Sequence, residues 1–200
     1  MIHMKGFTLI ETMVAITILT FAMAGPLFTA NRAIVAAQTA RDQLTATYLA
    51  QEGIEYVRMM RDNSYLKTYN EGGPNISGAA WDTFLNGAAS NPSTVTKCRS
   101  PKICTLDPLS DSIPLTHCPS ENCSPLYLTG CVNGTGGLVC TPPNLYTQQE
   151  LPGSISSSFT RTIQAIEISP NEEKIVSTVS WSFHGTSYSV TVSDHLTAWQ

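Results

Sequence analysis

Apolar side chains crowd the start of the chain. Between Phe7 and Ala30 the one ionisable residue is Glu11. Residues 7–24 wound as a helix rise 1.5 Å each and cover about 27 Å, close to the hydrocarbon thickness of a bilayer. Helix-forming composition continues to about residue 62, and Gly25–Pro26 and Gly53 are the positions able to interrupt it. In the second half, Ile34, Ala37, Leu44, Tyr48, Leu49, Val57 and Met60 recur at helical steps. Arg32, Arg41, Asp42, Glu52, Glu55, Arg58 and Arg61 mostly fill the gaps, so this half is expected to lay an apolar stripe on its own domain's sheet. The first half has no polar face apart from its threonines. A helix apolar all round must be buried in lipid or among other helices.

The pattern then changes twice. Residues 63–157 are dense in Gly, Pro, Ser and Asn, and nine of the twelve prolines fall between Pro92 and Pro152. So few long apolar runs predict a loop-rich region that needs covalent staples. In the last forty residues the period drops to two. Ile175, Val179, Trp181 and Phe183 share one parity against Val176, Thr178, Ser180 and Ser182, and Tyr188, Val190 and Val192 repeat it. This alternation marks half-buried strands, with turns at 169–173 and 184–186. With Phe159–Ile168 in front, a three-stranded antiparallel meander is expected over 158–200. The fold class expected is α+β: a long N-terminal helix on a small antiparallel sheet, with a stapled insert.

Composition and charge narrow the partners. The net charge is -4 and 13% of residues are charged. No basic run exceeds two residues, so nothing points to nucleic acid. The six cysteines, Cys98, Cys104, Cys118, Cys123, Cys131 and Cys140, all lie in the Pro-rich region. An even count behind an export signal predicts disulfides in an oxidising compartment, though six cysteines allow 15 pairings. A zinc cluster is the weaker reading, because no Cys-x-x-Cys occurs.

The most informative string is Lys5-Gly6-Phe7-Thr8-Leu9-Ile10-Glu11. It closely resembles the cleavage and methylation motif of type IV pilins and type II secretion pseudopilins. The resemblance implies that residues 1–6 are a leader. A membrane aspartyl peptidase would cut after Gly6 on the cytoplasmic side and N-methylate the new terminal Phe7. The same resemblance gives Glu11 a role in assembly, opposite the positive amine of Phe7 on its own or a neighbouring chain. Physical reasons stand beside it. Gly6 offers no side chain to clash in a peptidase site. Lys5 before the apolar run favours a cytoplasmic leader. A carboxylate inside an apolar helix costs about 2.5–3.5 kcal/mol near mid-bilayer, so Glu11 needs a use.

Further inferences follow from the resemblance. Partners are other pilin subunits through residues 7–30, the prepilin peptidase, the inner-membrane assembly platform, and membrane lipid before assembly. The location is the bacterial cytoplasmic membrane first and an extracellular or periplasmic filament afterwards. Family helices loosen near a proline, which points to Gly25 and Pro26. The string from Leu49 to Glu55 resembles minor pilins of the pilus-modification type, with a secretion pseudopilin as the alternative. The cysteine-rich insert departs from the family's usual single C-terminal loop, and a tip adhesive module is a third reading.

A competing assignment treats residues 1–24 as an ordinary signal peptide cut after Ala24, where Ala22-Met23-Ala24 supplies small residues. Glu11 inside the apolar region and the helical pattern beyond Pro26 argue against it. Catalysis, cofactors and metals are not expected. His3, His117, His184 and His195 are scattered, and no metalloprotease, nucleophile-elbow or phosphate-loop motif occurs. Asp107 and Asp111 lack a calcium-loop pattern. Asn75, Asn122 and Asn133 head chance-frequency glycosylation sequons.

Overall fold

The computed structural model describes residues 8–87, 94–110, 114–119, 123–134, 137–140 and 145–198. Helix α1 spans Leu9–Glu71, nine residues past the expected end near 62. It continues because its last turns are held by burial, with Tyr65 and Thr68 both packed inside. Helix α2, Ile76–Asn86, lies in the Gly- and Pro-rich region where only loops are expected. Asn75 caps it by accepting a hydrogen bond from the Gly78 amide at 3.1 Å, so the first sequon asparagine serves a helix start. A short 3-10 turn follows at Val95–Cys98.

The strands are β1 Cys104–Leu106, β2 Leu115–His117, β3 Tyr127–Leu128, β4 Cys131–Gly134, β5 Gly137–Cys140, β6 Tyr146–Thr147, β7 Ile155–Ser156, β8 Thr160–Ser169, β9 Glu172–Phe183 and β10 Thr186–Thr197. The α+β class and the antiparallel meander β8–β9–β10 are as the sequence predicts. The sheet is larger than the expected three strands: its order is β10-β9-β8-β1-β2, so the insert adds two short strands, with β2 at the edge. Two separate small sheets, β6-β3-β7 and β4-β5, complete the insert. His184 and Gly185 link β9 to β10 with φ of 49° and 79°, the double positive φ of a tight hairpin turn that favours glycine at its second place.

By internal contacts the chain divides into Met1–Gln43 and Leu44–Gln200. Within the second unit, hereafter the head, α1 packs on one face of the sheet. Its buried residues are Ala46, Leu49, Ala50, Gly53, Ile54, Val57, Arg61, Tyr65 and Thr68. Leu49 and Val57 belong to the expected stripe, but Ile34, Leu44 and Tyr48 are exposed, so the stripe is rotated from the predicted one. Hydrophobicity alone misplaces it because the true contact face includes a glycine, an arginine and a threonine. Ile54 and Val57 join Trp81, Phe84, Leu106, Ile163, Ile175 and Leu196 in one core cluster; Ala46, Leu49 and Ala50 join Leu126, Phe159, Val179 and Trp181 in another. Trp81 also donates its indole N–H to the Pro170 carbonyl at 2.9 Å, which fixes α2 against the β8–β9 turn.

Two buried charges fasten these parts. Arg161 on β8 is fully buried and donates to the Glu52 carboxylate at 2.7 Å, the Leu49 carbonyl at 3.2 Å and the Leu106 carbonyl at 3.0 Å. It therefore ties α1, β8 and β1 together. Burial lowers its pKa from the ordinary guanidinium value, while Glu52 and then Asp107 act in the opposite direction. Glu173 on β9 is also fully buried and pairs with Arg99, which reaches Glu167 at 2.8 Å as well. Burial pushes the Glu173 carboxyl above the usual carboxylate range, opposed by Arg99.

Candidate functional site

The N-terminal segment holds the residues singled out by the motif. Gly6 and Phe7, the expected cut and methylation positions, lie outside the described residues. Glu11 sits in the first turn of α1 beside Thr8. The Glu11 amide meets the Thr8 hydroxyl at 3.4 Å, and the Glu11 carboxylate meets the Thr8 amide and hydroxyl at 3.5 Å each. This is the reciprocal arrangement of a capping box, in which a threonine and the glutamate three residues on satisfy each other's orphan donors. The Thr8-x-x-Glu11 spacing could have revealed it, since it is the sequence signature of a helix start. Its contacts are long, so the carboxylate is held loosely in the isolated chain.

Beyond the cap, every residue from Leu9 to Gln38 is exposed, and the 18-residue apolar window of α1 is 0% buried. One helix of this chain is thus long and apolar enough to cross a membrane. Its threonines do not create a polar face. Thr12, Thr17 and Thr20 each donate to a carbonyl three residues back at 2.8 Å, and Thr29 donates to Gly25 at 2.6 Å. Hydroxyls satisfied inside the helix let it enter a dry environment at little cost. At the far end the Arg32 guanidinium lies 5.2 Å from the centre of the Phe28 ring, a cation–π contact suited to an interface.

The break expected at Gly25–Pro26 does not interrupt the secondary structure, because α1 is helical across both. Pro26 has no N–H to donate, so one helical bond is missing there. Strong helix formers on both sides carry the helix past it. A Cβ added at Gly25 would meet nothing within 4 Å.

Among the described residues of the head, two disulfides join cysteines close in sequence: Cys98–Cys104 and Cys118–Cys123. The first is fully buried under the core and links the 3-10 turn to β1. Cys131 and Cys140 stand opposite each other in the β4–β5 ladder. Among the described residues no three His, Cys, Asp or Glu side chains gather as a metal site. Asp107 is buried, accepting from the Thr147 hydroxyl and the Leu109 amide at 3.1 Å each, and Asp111 lies outside the described residues. His195 pairs with Glu172 across β10 and β9 at 2.6 Å, while His117 ends β2 on the surface.

Residues 1–25 match the family model described as the prokaryotic N-terminal methylation motif, the signature of type IV pilins and pseudopilins. No curated protein and no solved structure matches the chain. The signature is that of structural subunits, and together with the apolar helix it fits membrane anchoring before assembly.

Proposed function

We propose that this chain, which bears the signature of type IV pilins and pseudopilins, is a minor subunit of a type IV pilus-like filament. It is made as a precursor, cut after Gly6, N-methylated at Phe7 and held in the membrane by α1. Assembly then draws the same apolar helix out of lipid and into a bundle of its equals. The observation that carries this reading is the wholly uncovered apolar stretch of α1, which begins inside the methylation motif. A helix that is apolar all round needs cover, so its partners are lipid and other helices. Pro26, where one helical hydrogen bond is missing, is where the helix loosens most easily during that transfer.

Glu11 supplies the register. Cleavage after Gly6 frees a positive amine at Phe7, and a carboxylate facing it in a low-dielectric bundle fixes an incoming subunit along the axis. The loose cap to Thr8 leaves that carboxylate available. The string from Leu49 to Glu55 resembles minor pilins and also packs on the sheet, and a secretion pseudopilin is the alternative with the same architecture. A tip-module role for the insert is the remaining alternative, and altering the insert would then abolish binding while filaments persist.

Glu11→Ala and Glu11→Gln separate the two duties of this residue. Both variants are expected to lose their leader and to fractionate with membranes. Glutamine can still cap the helix but carries no charge. If the charge sets register, both variants disappear from the sheared-filament fraction on immunoblotting. Normal incorporation of Glu11→Gln would show that the cap, not the charge, is what assembly needs.

A further inference from the structure

We propose that Cys131 and Cys140 form a third disulfide, closing the β4–β5 hairpin into a covalent loop. The antiparallel register sets Cys131 opposite Cys140, Val132 opposite Val139, Asn133 opposite Leu138 and Gly134 opposite Gly137. Directly opposed residues of an antiparallel pair have Cα atoms roughly 4.5–5.5 Å apart. That separation falls within the span of about 4.4–6.8 Å that disulfides bridge. The two bridges already formed have Cα separations of 5.4 and 5.2 Å.

Elimination points the same way. Cys98, Cys104, Cys118 and Cys123 are consumed in pairs. Of the 15 pairings open to six cysteines, a single fully bonded one contains both of those bridges. The three links are then consecutive along the chain, each local, and no bridge crosses another. The inference stands on the ladder and the two bridges, independent of the filament reading.

The hairpin has a physical need for the bond. β4 and β5 form a two-stranded sheet, and neither strand pairs with the other two sheets. An isolated two-stranded hairpin is marginal in water. Linking its two ends removes loop-closure entropy from the unfolded chain and holds the register in place. The bond forms by thiol–disulfide exchange with an exported thiol oxidase that carries a reactive disulfide. One cysteine thiolate attacks that disulfide and makes a mixed disulfide; the second thiolate then displaces the oxidase sulfur. The two electrons and the two thiol protons pass to the oxidase, which leaves as a dithiol.

Peptide mapping of the full-length protein tests this. Cells are treated with N-ethylmaleimide before extraction, and the purified chain is digested without reduction by a protease that cuts after Leu138. The two pieces carrying Cys131 and Cys140 are expected to stay joined until reductant is added, with no maleimide on either cysteine. Maleimide on both, or either one joined to Cys98, Cys104, Cys118 or Cys123, overturns the proposal. A second variant guards against ambiguity: Cys131→Ser is expected to gain one maleimide, on Cys140, with the other two bridges intact. No label on Cys140 in that variant would also overturn it.

Discussion

Arg161→Ala is expected to destabilise the head by about 2–5 kcal/mol, from the cavity left by a large buried side chain and the buried carbonyl left without its donor. Arg161 is enclosed completely and holds a helix carbonyl, a strand carbonyl and a helix carboxylate at once. Alanine leaves the Leu106 carbonyl without that donor, removes the nearby cation from buried Asp107 and opens a cavity. Arg161→Lys keeps the charge but replaces a planar fork by a single ammonium, which cannot serve acceptors on α1 and β1 together. It is expected to fall between wild type and alanine. Glu52→Gln, by contrast, acts on a carboxylate whose side chain is 45% exposed, and about 1 kcal/mol or less is expected after solvent screening. Denaturant unfolding of the full chain in detergent, followed by near-ultraviolet circular dichroism, measures all three. A loss below about 1 kcal/mol for Arg161→Ala would mean that the buried network adds nothing beyond surface pairing.

Gly53→Val is the second large effect expected. A Cβ at Gly53 would lie 2.6 Å from the Ser177 hydroxyl oxygen, 3.0 Å from the Ile163 methyl and 3.3 Å from the Arg161 side chain. Ser177 and Arg161 are fully buried and Ile163 is nearly so, which leaves the neighbours little room to retreat. Overpacking of this kind costs about 1–3 kcal/mol, and the branched methyls of valine place this change at or above the upper end. Gly53→Ala adds the same Cβ without them and regains about 1 kcal/mol of helix propensity, so a smaller net loss is expected. Combining Gly53→Ala with Ser177→Ala removes the oxygen at the closest approach. Unfolding of the double variant should recover part of the loss; strict additivity would show that the two positions do not touch.

Much of this is legible in the residues themselves. The alternation from Ile175 to Phe183 names the buried parity of β9, and His184–Gly185 names the turn, because strand period and positive φ leave direct marks in sequence. The all-round apolar first half of α1 is equally plain. Its second half reads in the wrong phase, because contact with the sheet is made through Gly53, Arg61 and Thr68 as well as through aliphatic residues. Gly53 has the look of a helix breaker and instead lies tight against Ser177 and Ile163 of the sheet. β1 and β2 are three residues each, too short for any period to show, and α2 hides its Trp81 and Phe84 anchors in a region of breakers. At the N-terminus the motif announces Glu11, whereas its cap to Thr8 is a quieter signal in the same seven residues.

The central claim is processing at Gly6, and intact mass with N-terminal sequencing of the protein recovered from membranes tests it most directly. The expected chain begins at Phe7, carries one additional methyl group on its terminal amine, and retains all of α1. A chain that begins at Gly25 would contradict the claim, since it would have lost the apolar half of the helix and become an ordinary secreted protein.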